Sequence, residues 1–135
     1  MYSRTLAIIA VLILAMTLPL ATQQSAEMPG QKTGTMLLTV FLRHDQSKTL
    51  EQINAQLHQT GFDRNFPPSG VEVVSWYVMM GIGQVVTLRF PPEKLREVNV
   101  IIERQGWGAY RTDFYPTYDY KPIWEAERKK LQEAK

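Results

Sequence analysis

The sequence predicts an α+β domain whose elements run β-α-β-β-α-β, and three observations predict it. Four segments alternate or cluster apolar and β-branched residues as strands do, at Met36–His44, Val71–Met80, Gln84–Phe90 and Ala109–Tyr115. Two segments between them carry helical spacing with their own start and stop signals. The two middle strands are joined only by Gly81-Ile82-Gly83, which is short enough for an antiparallel hairpin.

Each element has a local reason. Met36 to His44 is apolar on one parity and mixed on the other, so one side of that strand is expected to be buried. Thr49-Leu50-Glu51-Gln52 is a capping box: the Thr49 hydroxyl accepts the N–H three residues on, and the Gln52 side chain reaches back. Leu50, Ile53 and Leu57 repeat along one helix face, and Gly61 stands where a left-handed cap ends the helix. Phe62 to Gly70, with Pro67-Pro68, reads as a loop. Pro91-Pro92-Glu93 opens the second helix, where proline costs no hydrogen bond and the acid suits the dipole. Leu95, Val98, Ile101 and Ile102 form its apolar face, and Gly106 stops it. Pro116 is expected to end the fourth strand. Residues 123–135 are a charged, weakly amphipathic helical extension. This order is the split βαβ, ferredoxin-like arrangement, a four-stranded antiparallel sheet with two helices on one face and a C-terminal helical tail.

Ahead of the domain, Arg4 precedes an apolar run from Leu6 to Ala15, then Pro19 and the small residue Ala21. That is the pattern of a cleavable secretion signal over 1–21. Leu6 to Ala21 spans 16 residues and contains Thr17 and Pro19, whereas a membrane-spanning helix needs roughly 20 apolar residues. A retained anchor is the alternative, as is cleavage after Ala26. Residues 22–35 are rich in Gln, Ser, Thr and Gly and read as a flexible leader, leaving the domain at 36–122. Removing 21 of 135 residues leaves 114, enough for one domain. Loss of Arg4 moves the formal charge from +2 to +1, so neither nucleic acid nor stable membrane insertion is expected of the mature chain. With no cysteine, an exported domain must be held by its core alone. The expected address is periplasmic or secreted.

Strand alternation sorts the side chains. Leu38, Val40, Leu42, Val86, Leu88, Tyr110 and Phe114 belong under the helices. Phe41, Val85 and Tyr115, with Arg43, Arg89, Arg111 and Asp113, point the other way. The second strand reads in either phase, with Trp76 or Tyr77 outward. A bare sheet face carrying that many aromatics is seldom left uncovered. The sequence therefore predicts a homodimer closed through the open sheet face, around a mixed polar and apolar space.

On this topology, with the aromatic run Gly106-Trp107-Gly108-Ala109-Tyr110-Arg111-Thr112-Asp113-Phe114-Tyr115-Pro116-Thr117-Tyr118-Asp119-Tyr120 in the place of a final strand and tail, the chain resembles the dimeric α+β barrel superfamily, muconolactone isomerase in particular. The resemblance covers Met36 to Pro122. It implies a cofactor-free isomerase or lyase acting on a small carboxylated ring. The exported address departs from a family of cytoplasmic aromatic degradation. A haem-handling barrel of the same superfamily is a further reading, with His58 as its one helix histidine.

The residues themselves point to a binder of a small anionic or aromatic ligand. Arg43, Arg89 and Arg111 share a face and offer guanidinium forks to a carboxylate. Tyr77 and Tyr115 supply aromatic wall. His44, flanked by Arg43 and Asp45, and Asp113 are the acid–base candidates should the site be catalytic. Against these stand plainer roles: a strand-end histidine in a turn, and cross-strand Arg–Asp pairs on a solvated sheet. Two histidines without an acid at ligand spacing predict no metal, and no cofactor is expected. Gly81-Ile82-Gly83 joins two strands rather than opening a helix, so it is no phosphate loop.

Overall fold

A computed structural model describes residues 32–134. The signal segment 1–21 and the leader up to residue 31 lie outside the described residues. The elements are β1 (Met36–His44), α1 (Leu50–Thr60), a short α2 (Phe62–Asn65), β2 (Glu72–Met79), β3 (Gly83–Phe90), α3 (Leu95–Ile101), β4 (Tyr110–Thr117) and α4 (Lys121–Glu133). A 3₁₀ turn at Pro92–Lys94 leads into α3, and a π turn at Ile102–Gly106 leads out of it. The chain is α+β, with one four-stranded antiparallel sheet in the order β2-β3-β1-β4. Among the described residues no helix is long and apolar enough to cross a membrane.

The local signals act as chemistry requires. The Gln52 N–H donates to Thr49 Oγ1 at 3.3 Å, and the Thr49 N–H donates to Gln52 Oε1 at 2.8 Å. Gly61 ends α1 at φ 79°, where a β-carbon would be strained. Gly83 is required for a second reason: a β-carbon there would lie 2.1 Å from the Leu42 carbonyl oxygen. It brings the hairpin tight against β1.

Three expectations are corrected. Phe62 to Gly70 is not simply a loop, because Phe62 opens α2 and both Phe62 and Phe66 are buried, their rings stacked at 4.7 Å. Gly106 allows this, since a β-carbon on it would lie 3.3 Å from the Phe62 ring. The fourth strand does not stop at Pro116 but runs through it to Thr117, with Pro116 opposite Leu38. It can do so because β4 is an edge strand, where a residue without N–H loses no second ladder bond. Leu95, placed on the apolar face of the second helix, is 41 % exposed.

One face of the sheet holds the core. Leu38, Val40, Leu42, Val86, Leu88 and Phe90 pack in one cluster with Ile53 and Leu57 of α1, Phe62, Phe66, Val98, Ile102 and Tyr110. The register sorts the far face into four rows across β2, β3, β1 and β4. They are Glu72-Arg89-Leu37-Thr117, Ser75-Thr87-Thr39-Tyr115, Tyr77-Val85-Phe41-Asp113 and Met79-Gly83-Arg43-Arg111. A bulge between Val73 and Ser75 shifts the phase of β2. Beyond it Trp76 shares the core side with Val86, and Tyr77 shares the far face with Val85. No residue of α4 is buried.

Candidate functional site

The far face carries the predicted ligand-binding residues, and their spacing divides them. Arg89 lies in the first row and is occupied, its Nη1 donating to Glu72 Oε1 at 2.9 Å. Lys32 reaches the same carboxylate at 3.2 Å. The hydrogen bond from Lys32, then that from Arg89, holds Glu72 below the usual carboxylate range. Arg111 lies in the last row. On β1 the partners of Arg89 and Arg111 are Leu37 and Arg43, six positions apart, or roughly 20 Å at a strand rise of about 3.3 Å per residue. Within one protomer these two arginines therefore cannot hold one small carboxylate between them.

Arg43 and Arg111 do meet, as direct cross-strand partners. The Arg43 Nε donates to Asp113 Oδ2 at 2.7 Å, and its guanidinium sits 5.8 Å from the Phe41 ring centre. Arg111 makes no ion pair among the described residues. One carboxylate thus compensates two guanidinium groups at this end of the face, and an excess positive charge remains. A hollow of about 400 Å³ lies beside them, reaching His44 and the hairpin at Gly81 and Ile82. Further inward the aromatics stand as expected of a wall. Phe41 and Tyr115 meet edge to face at 5.6 Å, while Tyr77 is 67 % exposed across Val85. Between the charged ends, the Thr39 hydroxyl joins those of Thr87 at 3.0 Å and Thr117 at 3.1 Å, tying three strands together.

His44 and Asp113 are not brought together. Asp113 is in register with Phe41 on the far face, whereas His44 has the parity of Leu42 and turns to the core side, where its ring stacks on Tyr110 at 5.7 Å. Its own strand parity carried that information. The His44 Nε2 atom is buried with no hydrogen-bond partner. His58 is held at the end of α1 by Asp63, through Nδ1 and Oδ2.

A polar group that sequence reasoning missed links β3 to β2 and β4. Gln84 has core parity, opposite Leu42 and Val78. Its Oε1 accepts from Trp76 Nε1 at 2.6 Å and its Nε2 donates to the Tyr110 hydroxyl at 3.5 Å. Burial raises Tyr110 above the usual phenol value, so it stays protonated at neutral pH. The signal was present: a half-buried glutamine at an apolar parity needs polar partners, and Trp76 and Tyr110 are the near residues that supply them.

No protein-family model matches the chain, and no curated protein and no solved structure matches it either.

Proposed function

We propose that the chain is an exported, homodimeric binder of a small anionic or aromatic ligand, closed over the far face of a ferredoxin-like sheet. The strand order and the joint burial of α1 and α3 residues with a single strand parity support the ferredoxin-like reading. The observation that carries the binding role is Arg111. It is the cation without a carboxylate among the described residues of that face, and it stands beside Arg43 at the end of the wall formed by Tyr77, Phe41 and Tyr115.

Dimer closure gives those aromatics a partner surface. Four strands about 4.8 Å apart and eight residues long span on the order of 500 Å² per protomer. Two such faces bury about 1,000 Å², the lower bound for a specific interface. The cofactor-free isomerase draws less support, because His44 and Asp113 lie on opposite faces and Arg89 is engaged by Glu72.

Thermal-shift titration with benzoate and phthalate tests the binding role. A ligand at 100 times its Kd stabilises by about 2.7 kcal/mol, and Arg111→Ala should abolish that shift. Equal shifts in both proteins, or none in the wild type, would remove the arginine site. Light scattering after size exclusion should give twice the protomer mass at micromolar concentration; the protomer mass would remove the closed space.

A further inference from the structure

We propose that the outer edge of β2 pairs antiparallel with the same edge of a second copy of this chain, continuing the sheet across a two-fold axis at Tyr77. β2 is an edge strand, and among the described residues no strand lies beyond it. An edge leaves a row of N–H and C=O groups unpaired, and an extended chain is the partner that matches them. The helices that bury Val86 and Leu88 of β3 completely stop short of β2. The residues opposite these two, Trp76 and Val73, are both exposed. Val78, at core parity opposite Gln84, is 71 % exposed, and Met80 at the end of the strand is 94 % exposed. The apolar surface of β2 therefore faces solvent on the core side as well as on the far side, where Tyr77 stands.

The two edges of the sheet differ in kind. β4 carries Arg111 and Asp113 and has Pro116 in its ladder, and charge and proline are what keep an edge from pairing. On β2 no residue from Val73 to Met80 is charged and none is proline. Glu72, just ahead of that stretch, is already met by Lys32 and Arg89. Pairing two such edges therefore buries no unmatched charge. The Trp76 indole is fixed before any partner arrives, by its hydrogen bond to Gln84 at 2.6 Å and its edge-to-face contact with Phe66 at 5.6 Å.

The bulge between Val73 and Ser75 sets the register. A bulge disrupts the ladder locally, so the regular segment left for pairing is Ser75 to Met79, with Tyr77 at its centre. Antiparallel pairing about that centre sets Trp76 opposite Val78 of the second copy, and symmetry makes the contact twice. An aromatic residue facing a β-branched one is a favourable cross-strand pair. The same register sets the exposed Val74 by the exposed Met80. This self-complementarity is what selects a second copy over an unrelated strand. The exposed parts of Val73, Val74, Trp76, Val78, Met80 and Ile82 come to roughly 600 Å² per copy, at about 200 Å² for a large side chain. Full coverage of both copies would bury about 1,200 Å², the low end for a specific interface. Such a contact forms weakly, at concentrations well above micromolar.

The test is sedimentation of the full chain over a rising concentration series. The mass at micromolar concentration reports the far-face dimer, and a further two-fold rise above it reports the edge, so the two readings stand or fall separately. Val78→Glu sets an unpaired carboxylate against Trp76 of the second copy and should abolish the rise. Its micromolar mass and Tm should match the wild type, because Val78 is largely exposed in the protomer. The chain has no cysteine, so single-cysteine variants read the register. Tyr77→Cys should form an intermolecular disulfide under mild oxidation, since directly opposed Cα atoms lie about 4.5–5.5 Å apart, within disulfide reach. Ser75→Cys, about 13 Å from its own copy in this register, should not cross-link. Adding Val78→Glu to Tyr77→Cys should remove the cross-link, which separates the edge from any far-face encounter. A mass that stays constant with concentration, a rise that Val78→Glu retains, growth beyond doubling, or equal cross-linking of Ser75→Cys would each overturn the pairing. Should Tyr77→Cys fail to fold, the mass series and Val78→Glu still decide it.

Discussion

On the core side of the sheet, Val40, Leu42, Val86 and Leu88 are all at 0 % exposure, while on the far side Tyr77 and Tyr115 keep 67 % and 51 %. The same strands supply both faces, one residue apart. The core side is aliphatic and meets two helices, so its contribution is removal of apolar area from water. The far side is held by lateral bonds instead: a threonine chain, the Arg43–Asp113 and Arg89–Glu72 pairs, and the Phe41–Tyr115 contact. Such pairs on an exposed sheet each add a fraction of a kcal/mol. Stability is therefore concentrated on one face, which leaves the other free to vary its chemistry.

The largest effect expected from that division is on the core side. Leu88→Ala, on the inner strand β3, should cost about 3 kcal/mol through lost burial and the cavity left behind. For a domain of this size that is a fall in Tm of roughly 15 °C, readable by circular dichroism. A loss under about 1 kcal/mol would mean the helices can collapse onto the sheet, and the contrast between the faces would weaken.

A smaller effect is expected where the far face coheres. Thr39→Val keeps the shape and removes the hydroxyl that Thr87 and Thr117 both meet. Both are only partly buried, so water can replace the lost partner. The cost should be about 1 kcal/mol, seen in the urea midpoint with an unchanged m-value. A change in m would mean that β4 frays from the sheet when the threonine chain is cut.

Much of this arrangement could be read from the residues before the coordinates. The Thr49–Gln52 capping box and Gly61 are local signals, complete within one helix, and they act where they stand. The parity of β1, β3 and β4 sorts their side chains correctly because those strands pair without interruption. In β2 the bulge between Val73 and Ser75 adds a residue, so the phase that places Ser75 to Met79 correctly misplaces Glu72 and Val73 before it. The core role of Phe62, on which Phe66 stacks, was hidden because it depends on Gly106, some 40 residues distant in sequence. The far-face side chains were legible as a set but not as distances. Parity places Arg89 and Arg111 on one face, yet register alone shows them at opposite ends of it.

The smallest expected effect is of pH, and it separates the far face from the β1–α1 loop. Glu72, on the far face, and Asp45, in the loop between β1 and α1, are both held below their ordinary values of 4.5 and 3.8. A carboxylate whose folded pKa is depressed binds its proton more readily in the unfolded chain, so each adds stability above its ordinary value. That stability is lost as pH falls through the ordinary value and on to the folded one. Both carboxylates reach solvent, so the change should be a modest steepening of the fall in Tm below about pH 4.5, flattened in part by Glu72→Gln or Asp45→Asn. Salt divides the two. Glu72 is held by the charged Lys32 and Arg89, and at 1 M salt, with a screening length of about 3 Å, its share should shrink. Asp45 is held first by the Ser47 hydroxyl and N–H, which are neutral donors, so its share should persist. If both shares vanish together in salt, Asp45 is held by Lys48 rather than by its own turn.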